Sequence, residues 1–155
     1  MDANAIAAAV TINQWNNLKQ YYKIETVRKC VEEVLRPNRH GQVLVNIPEE
    51  KFVEGIQVHE VNNRLRFELK SQGVPDLDEG EEDLLAFAQT QRDYWWLCGP
   101  DRASIRALHA IGKLDRSVSL EKLIQGYSQK GRAPKLEVNQ TEAWLSKLRT
   151  QLMLG

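Results

Sequence analysis

From Ala3 to Tyr22 the apolar residues Ile6, Val10, Ile12, Trp15, Leu18 and Tyr22 recur mostly every third or fourth position, which predicts one amphipathic helix after Asp2. Lys23 to Glu25 leaves room for only a short strand. Thr26 then caps a second helix with the apolar stripe Val27, Cys30, Val31, Val34 and Leu35, and Pro37 ends it. Val43 to Ile47 and Ile56 to Val61 read as strands on either side of the charged turn Pro48-Glu49-Glu50-Lys51. Asn62 caps a helix carrying Leu65 and Leu69.

A turn-rich stretch from Gly73 to Gly80 leads into a helix that buries Leu84, Leu85, Phe87 and Ala88. Tyr94-Trp95-Trp96-Leu97-Cys98 is the best strand in the chain, too apolar for an edge, with the tryptophans read as core rather than as a surface for bases. Gly99-Pro100-Asp101 turns into a helix bearing Ile105, Ala107 and Leu108 and stopped by Gly112. Ser117-Val118 ends a strand, and Ser119 caps the next helix. The chain closes with a C-terminal helix over residues 139–153, whose seam Trp144, Leu145, Leu148 and Leu152 packs on the domain or, alternatively, on a second subunit. The alternation predicts an α/β fold.

Composition narrows the class without changing that picture. At 155 residues the chain is long enough for one core, and no repeat or linker divides it, so residues 1–155 form a single domain. Lys plus Arg and Asp plus Glu both number 21, so any attraction for nucleic acid must come from a local patch rather than the overall field. Cys30 and Cys98 sit beside apolar residues and read as buried thiols, which fits a reducing, cytoplasmic location. No apolar run reaches the length of a membrane span, and Ala5 to Val10 is too short for a secretory signal and lacks its basic flank.

In open α/β sheets ligands bind beyond the carboxyl ends of the strands, which directs attention to acidic residues after apolar runs. Asp2, the pair Asp78 and Glu81, and Asp101 all stand there, although each also suits a helix start. The order Asp2-x-Asn4, then Gly80-Glu81-x-x-x-x-Ala86-x-Ala88, then an apolar strand and Asp101-Arg102 opening a helix, resembles the PIN domain family of metal-dependent nucleases over nearly the whole chain. The resemblance implies a three-layer α/β/α fold with a mainly parallel sheet and helices on both faces. It makes Asp2, Glu81 and Asp101 the ligands of Mg²⁺ or Mn²⁺ and adds Glu33 to them as a catalytic carboxylate. Glu33 is preferred to Glu32 because it precedes Val34-Leu35-Arg36-Pro37. Asn4, Asp78 and Ser119 stand behind these residues as groups that position ligands or water. In one respect the chain departs from the family: a central strand normally precedes the first Asp, and here only Met1 does, so either the start is internal to a longer gene or that strand is missing.

Clustered carboxylates repel one another, and a hard divalent cation relieves the repulsion. His40, His59 and His109 are scattered and unpaired with the cysteines, so nothing suggests zinc. Arg102 and Arg106, with Lys113 and Arg116 beyond them, are the candidate contacts for RNA phosphates. Glycine-rich phosphate loops and a Gly-x-Ser-x-Gly nucleophile context are both absent from the sequence. The leading expectation is a metal-dependent endoribonuclease acting on RNA. By resemblance it extends to a toxin with an antitoxin partner and to a homodimer. The alternative is a catalytically inactive PIN-like module that binds RNA or protein, and the plainest reading makes the carboxylates helix caps alone.

Overall fold

The computed structural model describes residues 1–38, 40–128 and 134–155. Helix α1 (Ala3–Thr11) starts at Asp2, whose side chain accepts the Asn4 amide. The expected single helix to Tyr22 is in fact two. Asn13 takes a left-handed conformation with φ of 57°, which short polar side chains tolerate better than most, and α2 (Trp15–Tyr21) sets off anew with Trp15 and Leu18 in the core. Strand β1 (Glu25–Val27) runs straight into α3 (Arg28–Leu35), so Thr26 belongs to the strand instead of capping the helix. Its hydroxyl donates to the Met1 carbonyl at 2.8 Å.

Residues 43–47 form no strand. Val45 alone is buried there, its amide bonded to the Val34 carbonyl, while Val43 and Leu44 face outward. The charged segment read as a turn is helix α4 (Glu49–Val53): Pro48 precedes it, Glu49 and Glu50 occupy the first turn where the helix dipole favours them, and Phe52 is buried. Strand β2 (Gln57–His59) is shorter than the sequence suggests, and α5 (Asn63–Lys70) is capped by Asn62. Helices α6 (Glu79–Ala88), α7 (Arg102–Ala110) and α8 (Leu120–Gln125) begin at Asp78, Asp101 and Ser119, whose side chains each accept a backbone amide. Helix α9 (Glu142–Leu154) starts later than residue 139, because residues 138–140 form a 3₁₀ turn and Thr141 makes the cap.

The fold is mixed α/β with far less sheet than expected. Among the described residues, β1 and β2 pair in parallel over three residues each, and Leu97 and Ser117 add one parallel bridge, too little sheet to define the three layers expected. Hydrogen bonds nonetheless align five segments side by side. The Met1 amine donates to the Glu25 carbonyl, the Asp2 amide to the Cys98 carbonyl, and the Val118 amide to the Leu97 carbonyl. Residues 1 and 2 therefore lie between β1 and Leu97-Cys98. The run Tyr94 to Trp96 departs most from the sequence reading: Tyr94 is 64% and Trp96 54% exposed, and only Leu97 and Cys98 are in the core. Helix α3 packs on α1 and α6, α5 on α6, and α9 on α7 and α8. No described helix is long and apolar enough to cross a membrane.

Candidate metal centre

Three helix starts bring acidic side chains within electrostatic reach of one another, a group termed the acidic crevice. Asp2 is 4% exposed, held by its own amide on the Cys98 carbonyl at 2.9 Å and by the Asn4 amide on its carboxylate at 3.0 Å. Gly99 keeps this place open, since a Cβ on it would come within 3.2 Å of the Asp2 Cβ. Burial raises the Asp2 pKa; the Asn4 amide and the nearby amine pull it down, and Asp78 pushes it up again.

At the start of α6, Asp78 and Glu81 form a capping box. The Asp78 carboxylate accepts the Glu81 amide at 2.8 Å, and the Glu81 carboxylate accepts the Asp78 amide at 3.3 Å. Glu81 is 7% exposed, and burial, with Asp78 and Asp101 adding like charge, raises its pKa to about 7 against the lowering effect of the Ser104 hydroxyl. Glu33 reaches in from α3. The residue is exposed along its length, but its carboxyl end lies over Gly80, where a Cβ would stand 2.5 Å from Oε1. Desolvation of that end, then Asp78 and Asp2, lift Glu33 to about 7. The two helices are tied here by the Cys30 thiol, which donates to the Gly80 carbonyl at 3.7 Å, and by a Lys29–Glu79 ion pair. Asp101 opens α7 and accepts the Ala103 amide at 2.6 Å.

The mutual repulsion links Asp2, Glu33, Asp78, Glu81 and Asp101 into one electrostatic group. Among the described residues, however, no three Asp, Glu, His or Cys side chains stand close enough to hold a metal ion as they are. Both observations hold together, because charge repulsion in a poorly solvated crevice acts well beyond ligation distance.

The remaining sequence candidates are placed differently. Glu32 pairs with Arg36 at 3.3 Å. Asn4 contributes its amide to Asp2 while the residue itself is exposed. Ser119 caps α8, and its hydroxyl donates to the Glu142 carboxylate of α9 at 2.6 Å. Arg102 and Arg106 are exposed on α7, and among the described residues neither makes an ion pair. Arg116 instead stacks on Tyr94, 3.8 Å from the ring centroid. Sequence reasoning missed Ser104 and gave Gly80 a place in a motif but no role in the site. Both carried a faint signal: a buried serine on the apolar face of α7, and a glycine inside a first helical turn where it weakens the helix. No protein-family model, curated protein or solved structure matches the chain to a significant degree.

Proposed function

We propose that the chain is a metal-dependent endoribonuclease, with Asp2, Glu81 and Asp101 as ligands of Mg²⁺ or Mn²⁺ and Glu33 as the fourth carboxylate of the site. The observation behind it is that these side chains, from the starts of α1, α6 and α7 and from α3, act on one another or on Asp78 electrostatically, with Glu33 and Glu81 both raised to about 7. The donor set is all oxygen, as hard divalent cations require. Gly80 and Gly99 leave the space that two of the carboxylates occupy. The bound cation supplies a bound water of lowered pKa and charge stabilisation on a phosphodiester.

The protein's own groups divide the remaining work. Glu33, with a pKa near neutrality, takes up a proton as water attacks. Ser104 positions the Glu81 carboxylate, and the Asn4 amide positions that of Asp2. Arg102 and Arg106, on the exposed face of the helix that Asp101 opens, draw phosphate oxygens towards an otherwise repulsive crevice. RNA as substrate, a cytoplasmic toxin role with an antitoxin partner, and a homodimer rest on the resemblance to PIN domains.

Asp101→Asn tests the reading. The variant should keep its fold and its cap while losing Mn²⁺-dependent RNA cleavage at least tenfold, and equal cleavage by the variant overturns the nuclease. One observation favours a second reading, a PIN-like module that binds RNA or protein without catalysis: among the described residues, no three ligating side chains stand together. That module retains RNA or protein affinity in Asp101→Asn and gains no thermal stability from Mn²⁺.

A further inference from the structure

Two large rings stand in solvent just ahead of Leu97-Cys98. Tyr94 and Trp96 are both more than half exposed, with ring centroids 6.0 Å apart and the planes edge to face. They line a cavity of about 290 Å³, and among the described residues no strand pairs with residues 94–96. Arg116 completes this corner. Its guanidinium lies 3.8 Å from the Tyr94 ring centroid and 5.5 Å from that of Trp95, a stack that fixes the side chain without using its hydrogen bonds. Among the described residues it pairs only with the exposed Asp115, Nε to carboxylate at 3.4 Å, and neither Nε nor Nη1 has a hydrogen-bond partner. A largely buried guanidinium with unpaired donors is short of acceptors, and a phosphate oxygen supplies one.

The chain connects this corner to the acidic crevice. Asp101 opens α7, Arg102, Arg106 and His109 follow on one exposed face, and beyond Lys113 comes Arg116, whose carbonyl accepts the Leu97 amide at 2.8 Å. A basic run thus leads from the carboxylates to the aromatic corner along a nine-residue helix about 14 Å long.

We propose that Trp96, Tyr94 and Arg116 form a subsite for single-stranded RNA: an unpaired base stacks on Trp96, and Arg116, held against Tyr94, takes a neighbouring phosphate. This deepens the nuclease proposed above and rests on RNA being its substrate. A single strand is specified because bases inside a duplex have their faces covered by their neighbours. RNA is favoured over a protein partner because phosphates answer both the unpaired donors of Arg116 and the basic run that leads to it.

Anisotropy of a labelled single strand of about 12 nucleotides, and of the same sequence as a duplex, measured in EDTA, separates recognition from cleavage. Trp96→Ala should weaken the single strand about fivefold or more with an unchanged salt slope, while Trp96→Phe stays within about twofold. Arg116→Gln should lower the log–log salt slope by about one. Equal single-strand affinity for Trp96→Ala and the parent overturns the subsite, as does tighter binding of the duplex; Mn²⁺-dependent cleavage by that variant then leaves the nuclease standing without it. Ring-dependent binding by a parent that cleaves no RNA with Mn²⁺ upholds the subsite and refutes the nuclease. Binding of neither RNA form overturns the subsite and leaves the two rings to a protein partner. Should Trp96→Ala not fold, a strand of abasic nucleotides tested on the parent reads the same stacking, and affinity equal to that of the intact strand overturns the subsite.

Discussion

Glu81→Gln isolates the charge of the acidic crevice from its hydrogen bonds. Glutamine keeps the side-chain carbonyl that accepts the Asp78 amide, so the capping box of α6 survives, and the volume hardly changes. What disappears is a carboxylate whose pKa stands at about 7 in the folded protein against an ordinary 4.5. The folded state binds this proton more tightly than the unfolded chain does. Its contribution is therefore fully present below about pH 4.5 and is lost as the pH rises through about 7. Each pH unit between the two values is worth about 1.4 kcal/mol, so ionised Glu81 withdraws up to about 3 kcal/mol from the fold at alkaline pH. Allowing for solvent screening and for relaxation of its neighbours leaves about 1–2 kcal/mol.

Without metal, at about pH 8, Glu81→Gln should thus melt about 2–8 °C above the parent, and the gap should shrink on acidification and close near pH 4.5. Millimolar Mn²⁺ should reverse the order, raising the parent's Tm and leaving the variant's unchanged, since a ligand stabilises only the state that binds it. Differential scanning fluorimetry over a pH series with and without Mn²⁺ reads both effects. A variant no more stable than the parent at about pH 8 would refute the claim that Glu81 holds unrelieved charge.

Gly80→Ala should leave stability within about 1 kcal/mol of the parent, because alanine suits a helix better, yet its Cβ displaces the Glu33 carboxylate and should cut Mn²⁺-dependent cleavage at least tenfold; unchanged cleavage removes Glu33 from the site. The double variant Arg102→Ala, Arg106→Ala should fold normally and weaken RNA binding with a shallower salt dependence, by about one to two in the log–log slope, and an unchanged slope shows that RNA lies elsewhere. Cys30 and Cys98, with burial pushing both thiols to about 12, should resist alkylation in the native protein and react on unfolding; rapid native labelling contradicts the packing of α1, α3 and residue 98.

Helix starts were the most legible part of the fold. Asp2, Asn62, Asp78, Asp101 and Ser119 announce themselves by side chain, and all five accept a backbone amide at the start of a helix. Strands were not, because periodicity reports which residues suit burial and says nothing of whether a neighbouring chain is there to pair with. Tyr94 to Trp96 has the composition of a central strand but lies along a cavity, and residues 43–47 have that of a strand but find one place in the core, for Val45. The break between α1 and α2 turned on Asn13, a single left-handed residue inside an otherwise continuous apolar pattern. At the acidic crevice the positions of Asp2, Asp78 and Asp101 followed from their places before helices. The proximity of Glu33 to Gly80 depends on the packing of α3 against α6, and that of Glu81 to Ser104 on two helices far apart in sequence, which no local pattern encodes.

The same geometry explains why a capping role and a metal-binding role do not exclude each other here. Asp2, Asp78 and Asp101 each satisfy a backbone amide with one carboxylate, and their place at a helix N-terminus stabilises that charge by about 0.3–1 kcal/mol apiece. That offset is smaller than the repulsion and desolvation gathered on the two glutamates. Glu33 accepts the Gly80 amide, and Glu81 the long bond from Asp78 besides Ser104, but burial and like charge outweigh these bonds at both, so the unrelieved charge of the crevice falls on them. Both are raised towards neutrality, so the fold favours protons at a place it leaves electrostatically unfinished. A divalent cation at these carboxylates competes with those protons, so its affinity must rise with pH through about 7 and its binding must release them to solvent. Helix caps alone predict no such linkage, because nothing would then bind the folded state selectively.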